Sequence, residues 1–240
     1  MRTYLEDLIY RLSETSEVRD RRFEFIILED ESINAFAAPG GIIGINLGMF
    51  LNTKREGELA SVMCHELAHL SQRHFARSQN RSSPLANALM ILGSIAVAAA
   101  SRNPEAIVIA PAAMQQMSIN YTRSNEKEAD RIGFNNLVKA GFDPNDMTMM
   151  FQRMQDKYQR EDSEQFSYLM THPLPSERLT DMRIRADNIT KPPDGSFRDN
   201  LDFYFMQKRS EIWAEKDTKE LIKKYKKDLE SDQRNVSLSS

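Results

Sequence analysis

The stretch "MCHELAHLSQRHF", residues 63–75, places three histidines and a glutamate in one short run. Apolar residues at helical spacing on both sides of it predict a helix. His65 and His69 are four residues apart, so their imidazoles share one face of that helix and can reach a single zinc ion. Glu66 comes directly after the first histidine, where it can act as a general base on an attacking water. The run therefore predicts a zinc site that hydrolyses peptide bonds.

A catalytic zinc ion needs a third protein ligand, and His74 does not fit that role. The metzincin pattern H-E-x-x-H-x-x-G-x-x-H would require a glycine where Gln72 stands and a histidine where Phe75 stands. We therefore expect His74 to be a local helix residue or to support a ligand. Two histidines with ordinary surface or core hydrogen bonds are the plainer alternative for the H-E-x-x-H run.

The segment "NEKEAD", residues 125–130, offers a better third ligand. Glu126 and Asp130 are spaced i, i+4 and so share a helix face. Glu126 can bind zinc, while Asp130 can accept the ring N–H of a ligating histidine and fix its orientation. Glu128 is a weaker candidate by its spacing. A solvated acidic run balanced by neighbouring basic residues is the alternative that spacing alone leaves open.

The rest of the chain predicts helices around a short sheet. Residues 1–14 predict an amphipathic helix, "RRFEFIILED" (21–30) a strand, and "NAFAAPGGIIGINLGMF" (34–50) a hairpin. Thr53 and Glu56 predict a capping box at the start of the H-E-x-x-H helix. The apolar residues 85–113 predict either two buried helices or a surface hairpin that contacts lipid or a partner. "KPPDGS" (191–196) predicts a linker between domains 1–200 and 201–240.

Composition excludes some classes of function. The net charge of −3 gives no support to nucleic-acid binding, and the single cysteine excludes an internal disulfide. We expect that residue, Cys64, to pack in the core. The first fourteen residues lack the features of a signal peptide, so the chain is either cytoplasmic or a mature form.

Three motifs in order carry a resemblance to a known family. "HELAH", "NEKEADRIG" and "THPLPSERL" resemble the membrane-linked gluzincin metallopeptidases that include the CAAX prenyl protease and the heat-shock protease HtpX. The family's E-x-x-A-D pattern falls on Glu126, Ala129 and Asp130. "INAFAAPGGIIGINLGMF" sharpens the resemblance toward periplasmic members that assist β-barrel assembly. The resemblance covers roughly residues 1–205.

The resemblance implies an α+β, mostly helical zincin-like domain with a small β-sheet. It implies a zinc endopeptidase of the bacterial periplasm that acts on misfolded or stalled outer-membrane proteins. A chaperone or assembly factor with a latent protease site is the alternative. The implied Zn²⁺ ligands are His65, His69 and Glu126, with Glu66 as base and Asp130 in support. Relatives continue into a tetratricopeptide array, so we expect a mature, truncated protease domain whose residues 201–240 begin that array.

The resemblance also gives roles to a histidine, a strand and an apolar segment. His172, in the stiff H-P-L-P loop, is expected as a fourth zinc ligand that switches the site off. A hydrogen bond from His172 to the reacting oxyanion and a purely structural role are the alternatives. Backbone of an edge strand is expected to bind substrate at Asn34, Ala35, Phe36 and Ala37, and an interior strand with no free edge is the alternative. Residues 85–113 are expected to contact the membrane or the β-barrel assembly machinery.

Overall fold

The computed structural model describes residues 1–79, 122–160, 167–189, 197, 200–215, 219–223, 225–227 and 229. Within those residues the longer elements are nine helices and three strands. The helices are α1 Arg2–Thr15, α2 Leu47–Asn52, α3 Glu56–Ser71, α4 His74–Gln79, α5 Arg123–Lys139, α6 Asn145–Arg160, α7 Ser167–Thr171, α8 Ser176–Asp187 and α9 Leu201–Ala214. The strands are β1 Glu24–Leu28, β2 Ala35–Ala38 and β3 Ile42–Asn46. The predicted mostly helical α+β fold with a small sheet is confirmed.

The predicted N-terminal helix is confirmed as α1, and its apolar face is part of the core. This face is fully or nearly fully buried because its residues recur at helical spacing. They are Tyr4, Leu5, Leu8, Ile9 and Leu12. Cys64, predicted as a core residue, is also fully buried.

The predicted strand and hairpin are confirmed as β1 and as β2–β3. The sheet order is β1-β3-β2, with β1 parallel and β2 antiparallel to β3. Gly40 and Gly41 make the tight turn between β2 and β3 at φ values of 89° and 81°, which side-chain-bearing residues rarely adopt. This topology leaves β2 at the edge of the sheet, against α3.

The central helix α3 crosses α5 at very close range. A Cβ atom placed on Gly133 of α5 would lie 3.0 Å from the backbone N and Cα of His65 on α3. Because glycine has no side chain, the two backbones can approach there, and the first turns of α5 lie over the H-E-x-x-H face of α3.

The predicted capping box at the start of α3 is wrong. The helix begins at Glu56 with Arg55 as its N-cap residue. Thr53 instead ends α2, where its hydroxyl donates to the carbonyl oxygen of Met49 at 2.9 Å. The Glu56 carboxylate accepts a hydrogen bond from the Tyr4 hydroxyl at 2.9 Å, so tertiary contacts replace the local cap.

Two predicted segments, 85–113 and 191–196, lie outside the described residues. Within the part of the chain that is described, no helix is long and apolar enough to cross a membrane. The proposed division at residue 200 stays a prediction. Helix α9 packs on α2, where Gln207 donates to the carbonyl oxygens of Phe50 and Thr53, and Phe203 is buried in the main core.

Candidate metal centre

Four side chains from three parts of the chain converge beneath β2. His65 and His69 project from α3, Glu126 from the first turn of α5, and His172 from the turn after α7. All four are at least 98 % buried, and each offers a ligand atom within 4.8 Å of the others. Burial of this many polar atoms at one point requires partners for their lone pairs.

The distances between these atoms fit a tetrahedral metal ion. Four ligands held 2.0–2.1 Å from a central zinc ion stand about 3.4 Å from one another. His65 Nε2 lies 2.9 Å from His69 Nε2 and 3.4 Å from His172 Nδ1. Carboxylate oxygens of Glu126 lie 3.5, 3.3 and 3.1 Å from the nitrogens of His65, His69 and His172, respectively. Three imidazoles and one carboxylate form a donor set that suits zinc, so the residues present fit the metal.

The orientation of His65 is set by Asp130. His65 Nδ1 lies 3.0 Å from Asp130 Oδ1, which leaves Nε2 facing the other ligands. Burial by itself lowers the pKa of His65, but hydrogen bonding to the carboxylates of Asp130 and Glu126 outweighs it and raises the pKa to about 9. The position predicted for Asp130, beside the ring of a candidate ligand, is the one observed.

His69 is oriented by His74, through a chain of contacts that reaches the surface. His74 Nε2 lies 3.0 Å from a Glu128 carboxylate oxygen, so it carries the proton that Glu128 accepts. His74 Nδ1 is then an acceptor, and His69 Nδ1 donates to it at 2.8 Å. His69 Nε2 is left bare toward Glu126 and His65. Burial also lowers the pKa of His69 well below its ordinary value, which favours this neutral form.

Glu66 lies between the candidate ligands and the edge of the sheet. One carboxylate oxygen, Oε2, accepts a hydrogen bond from the backbone N–H of Ala37 at 3.1 Å. The other, Oε1, lies 3.6 Å from His172 Nε2 and has no hydrogen-bond partner among the described residues. Burial raises the pKa of Glu66, so the carboxylate is more basic than an exposed one.

The sequence that forms this arrangement matches a known protein family. The model of Peptidase family M48 matches residues 1–186, which include all four candidate ligands and Glu66. The chain belongs to peptidase family M48. The resemblance to gluzincin metallopeptidases that the motifs indicated is thereby confirmed.

Several curated relatives are similar to this M48 chain. A Vibrio cholerae protein whose name assigns it to the beta-barrel assembly-enhancing proteases is 44 % identical over 86 % of the chain. The beta-barrel assembly-enhancing proteases of Yersinia pestis and Escherichia coli K12 are 38 % and 39 % identical over 82 % and 78 % of it. The alignments cover 43 %, 41 % and 39 % of these relatives, so the chain spans about two fifths of their length.

In the M48 chain, the predicted substrate strand β2 lies at the edge of the three-stranded sheet that the described residues form. Asn34 pairs with Asn46 through a 2.9 Å backbone hydrogen bond, so alternate residues of β2 face β3. The backbone groups of Ala35 and Ala37 therefore point away from β3, whereas those of Asn34 and Phe36 point toward it. Of the four predicted residues, Ala35 and Ala37 therefore have backbone groups that do not pair with β3, and the N–H of Ala37 donates to Glu66 Oε2.

The sequence patterns did not single out Arg178, which contacts Glu126, Asp130 and the backbone of Pro173 in the M48 site. This buried guanidinium lies 2.7 Å from Glu126 Oε2 and donates to both Asp130 oxygens at 2.6 and 2.7 Å. It also donates to the carbonyl oxygen of Pro173 at 2.6 Å, next to His172. The only signal in the sequence was the position of Arg178 within the quoted "THPLPSERL" motif.

Proposed function

We propose that this chain is a zinc endopeptidase whose site is held closed by His172. The observation that carries the proposal is the near-tetrahedral set of His65, His69, Glu126 and His172 beside the Glu66 carboxylate. A zinc ion bound by these residues would polarise the scissile carbonyl and the attacking water. An ion held by four protein ligands would have no position open for water or substrate, so the enzyme would be latent.

Opening requires that His172 leave the cluster. Its backbone N–H donates to the Tyr168 carbonyl oxygen, and the next residue is held by Arg178 through the Pro173 carbonyl. A cavity of about 420 Å³ is lined by Pro173, Leu174 and Pro175 together with Glu126 and Arg178. The loop therefore has space beside the ligands into which it can shift.

In the open site, Glu66 is the group that moves protons. Its Oε1 accepts a proton from the attacking water and later donates it to the amine released from the peptide. The hydrogen bond from Ala37 to Oε2 keeps the other oxygen in place during both transfers. Peptide substrate would lie in extended form along the outer edge of β2, at Ala35 and at the carbonyl oxygen of Ala37, because the N–H of Ala37 is bonded to Glu66.

We further propose that the substrates are outer-membrane β-barrel proteins that misfold or stall during assembly in the periplasm. Support comes from the relatives at 38–44 % identity that are named for enhancing β-barrel assembly. An edge strand that captures extended backbone suits an unfolded chain better than a closed barrel, whose strands are already paired. An unfolded β-barrel protein is therefore expected to be cut faster than the same protein folded in detergent micelles.

Casein cleavage by zinc-loaded protein tests the peptidase proposal. The His172→Ala variant is expected to cut faster than the wild type, because a ligand position is opened. Glu66→Gln is expected to abolish cleavage, whereas Glu24→Gln, the same change on an exposed carboxylate of β1, is expected to retain it. Zinc content is measured for every sample.

If none of the zinc-loaded proteins cuts casein, the peptidase proposal fails. The four-ligand arrangement would then favour the second candidate, an assembly factor in which a closed zinc site is structural. If His172→Ala is as inactive as Glu66→Gln, His172 takes part in catalysis, and the proposal that His172 holds the site closed is refuted.

A further inference from the structure

A buried tyrosine forms part of the wall of the ligand cluster. Tyr168 on α7 is 2 % exposed, and its ring stacks on His172 with centroids 4.5 Å apart and planes inclined by 23°. The same ring meets His65 edge to face at 6.4 Å. Tyr168 thus lies against two of the candidate ligands, although no motif of the sequence singled it out.

The hydroxyl of Tyr168 has no hydrogen-bond partner among the described residues. A buried hydroxyl without a partner is unfavourable, and phenylalanine would supply the same ring without that penalty. Tyr4, the other buried tyrosine used for comparison, donates its hydroxyl to Glu56 at 2.9 Å. The Tyr168 hydroxyl is therefore a donor that the described fold leaves without an acceptor.

The backbone of Tyr168 is tied to the substrate edge. Its N–H donates to the carbonyl oxygen of Ile33 at 3.3 Å, two residues before Ala35. Glu66, whose Oε1 also has no hydrogen-bond partner among the described residues, bonds to the same strand at Ala37. Tyr168 and Glu66 are therefore both hydrogen-bonded to the segment 33–37, along which the peptide is proposed to bind.

We propose that Tyr168 Oη donates a hydrogen bond to the carbonyl oxygen of the scissile peptide bond. This inference rests on the proposed peptidase function. As the water oxygen bonds to the carbonyl carbon, the π electrons move onto the carbonyl oxygen and the water proton goes to Glu66. The phenol stabilises the negative oxygen, because a fixed donor in a dry site needs no reorganisation. The C–N bond then breaks, and the proton on Glu66 goes to the leaving amine.

Replacement of Tyr168 by phenylalanine tests the proposal in a His172→Ala background, in which His172 no longer closes the site. Loss of one oxyanion donor lowers kcat on the order of 10²-fold, with KM almost unchanged. Tyr4→Phe is the matched control, since it removes a buried phenol hydroxyl far from the ligands. It is expected to lower Tm and leave kcat unchanged, whereas Tyr168→Phe is expected to leave Tm unchanged or raise it. A kcat within twofold of the parent would overturn the proposal.

Binding of a phosphinic peptide provides a readout that needs no turnover. Its tetrahedral phosphinate imitates the adduct, so in the His172→Ala background Tyr168→Phe is expected to weaken binding to the zinc-loaded protein on the order of 10²-fold. If no variant cleaves peptide but this loss is seen, the peptidase proposal fails, and only the narrower assignment of Tyr168 Oη as a hydrogen-bond donor to a bound tetrahedral oxyanion stands. Equal binding by both proteins, or no binding by either, overturns the assignment.

Discussion

Replacement of Arg178 by methionine should destabilise the protein strongly, although it removes no large volume. The guanidinium is 97 % buried and contacts two carboxylates, Glu126 and Asp130, that are themselves about 98 % buried. Removal of one partner from a buried ion pair typically costs 3–5 kcal/mol, because the remaining charge stays out of water without compensation. Methionine fills most of the space, so the loss reports the charge and its hydrogen bonds.

The expected loss in the free energy of unfolding is about 4 kcal/mol for the protein stripped of metal. For a chain of this length, 1 kcal/mol corresponds to about 2–4 °C in Tm, so the midpoint should fall by about 8–16 °C. Saturating zinc should reduce the loss, since the ion supplies Glu126 with another positive charge. Urea denaturation followed by circular dichroism measures the loss in the free energy of unfolding, with and without zinc. A thermal melt of the same samples measures the change in Tm.

Arg185→Met, on the same helix α8, is the matched control. Its partner Asp181 is 48 % exposed, and exposed i, i+4 pairs contribute about 0.3–0.5 kcal/mol. A loss below about 1 kcal/mol for Arg178→Met in the metal-free protein would show that the guanidinium is not needed to compensate the buried carboxylates. It would mean that Glu126 and Asp130 find other compensation when the guanidinium is gone.

Three further predictions concern the ligands and their support. His74→Phe should weaken zinc binding about 10–100-fold in a chelator competition, since His69 loses the acceptor that fixes its tautomer. If the variant and the wild type bind zinc equally tightly, His74 does not have that role. Zinc uptake at pH 7 should release close to one proton, because the raised pKa of about 9 keeps His65 protonated until metal displaces the proton. Calorimetry of zinc binding in two buffers measures the number of protons released. No release would contradict the prediction. Gly133→Ala should lower stability by about 1–3 kcal/mol in urea denaturation despite alanine's better helix propensity, because its Cβ would press on the His65 backbone; unchanged stability would show that the two helices can separate.

Much of the candidate site was predictable because it follows local spacing. His65 with His69, and Glu126 with Asp130, stand four residues apart, so each pair had to share a helix face. The turn at Gly40 and Gly41 was predictable for a similar reason, since few other residues adopt positive φ there.

The remaining features depend on contacts between distant residues. Arg178 and Asp130 are 48 positions apart, and no periodicity relates them. Thr53 and Glu56 have the spacing of a capping box, but the Tyr4 hydroxyl binds the Glu56 carboxylate and Thr53 ends the preceding helix. The stacking of Tyr168 on His172 is local in sequence, yet the lack of an acceptor for its hydroxyl is a property of the packed interior.

The closed site requires that His172 bind the zinc ion directly. Anomalous diffraction at the zinc edge, from crystals of the zinc-loaded protein, would locate the ion without reference to activity. We expect one buried ion about 2.0–2.1 Å from nitrogens of His65, His69 and His172 and a similar distance from a Glu126 oxygen. An ion bound by the other three residues with His172 beyond 3 Å would contradict the closed site, as would zinc bound elsewhere in the chain.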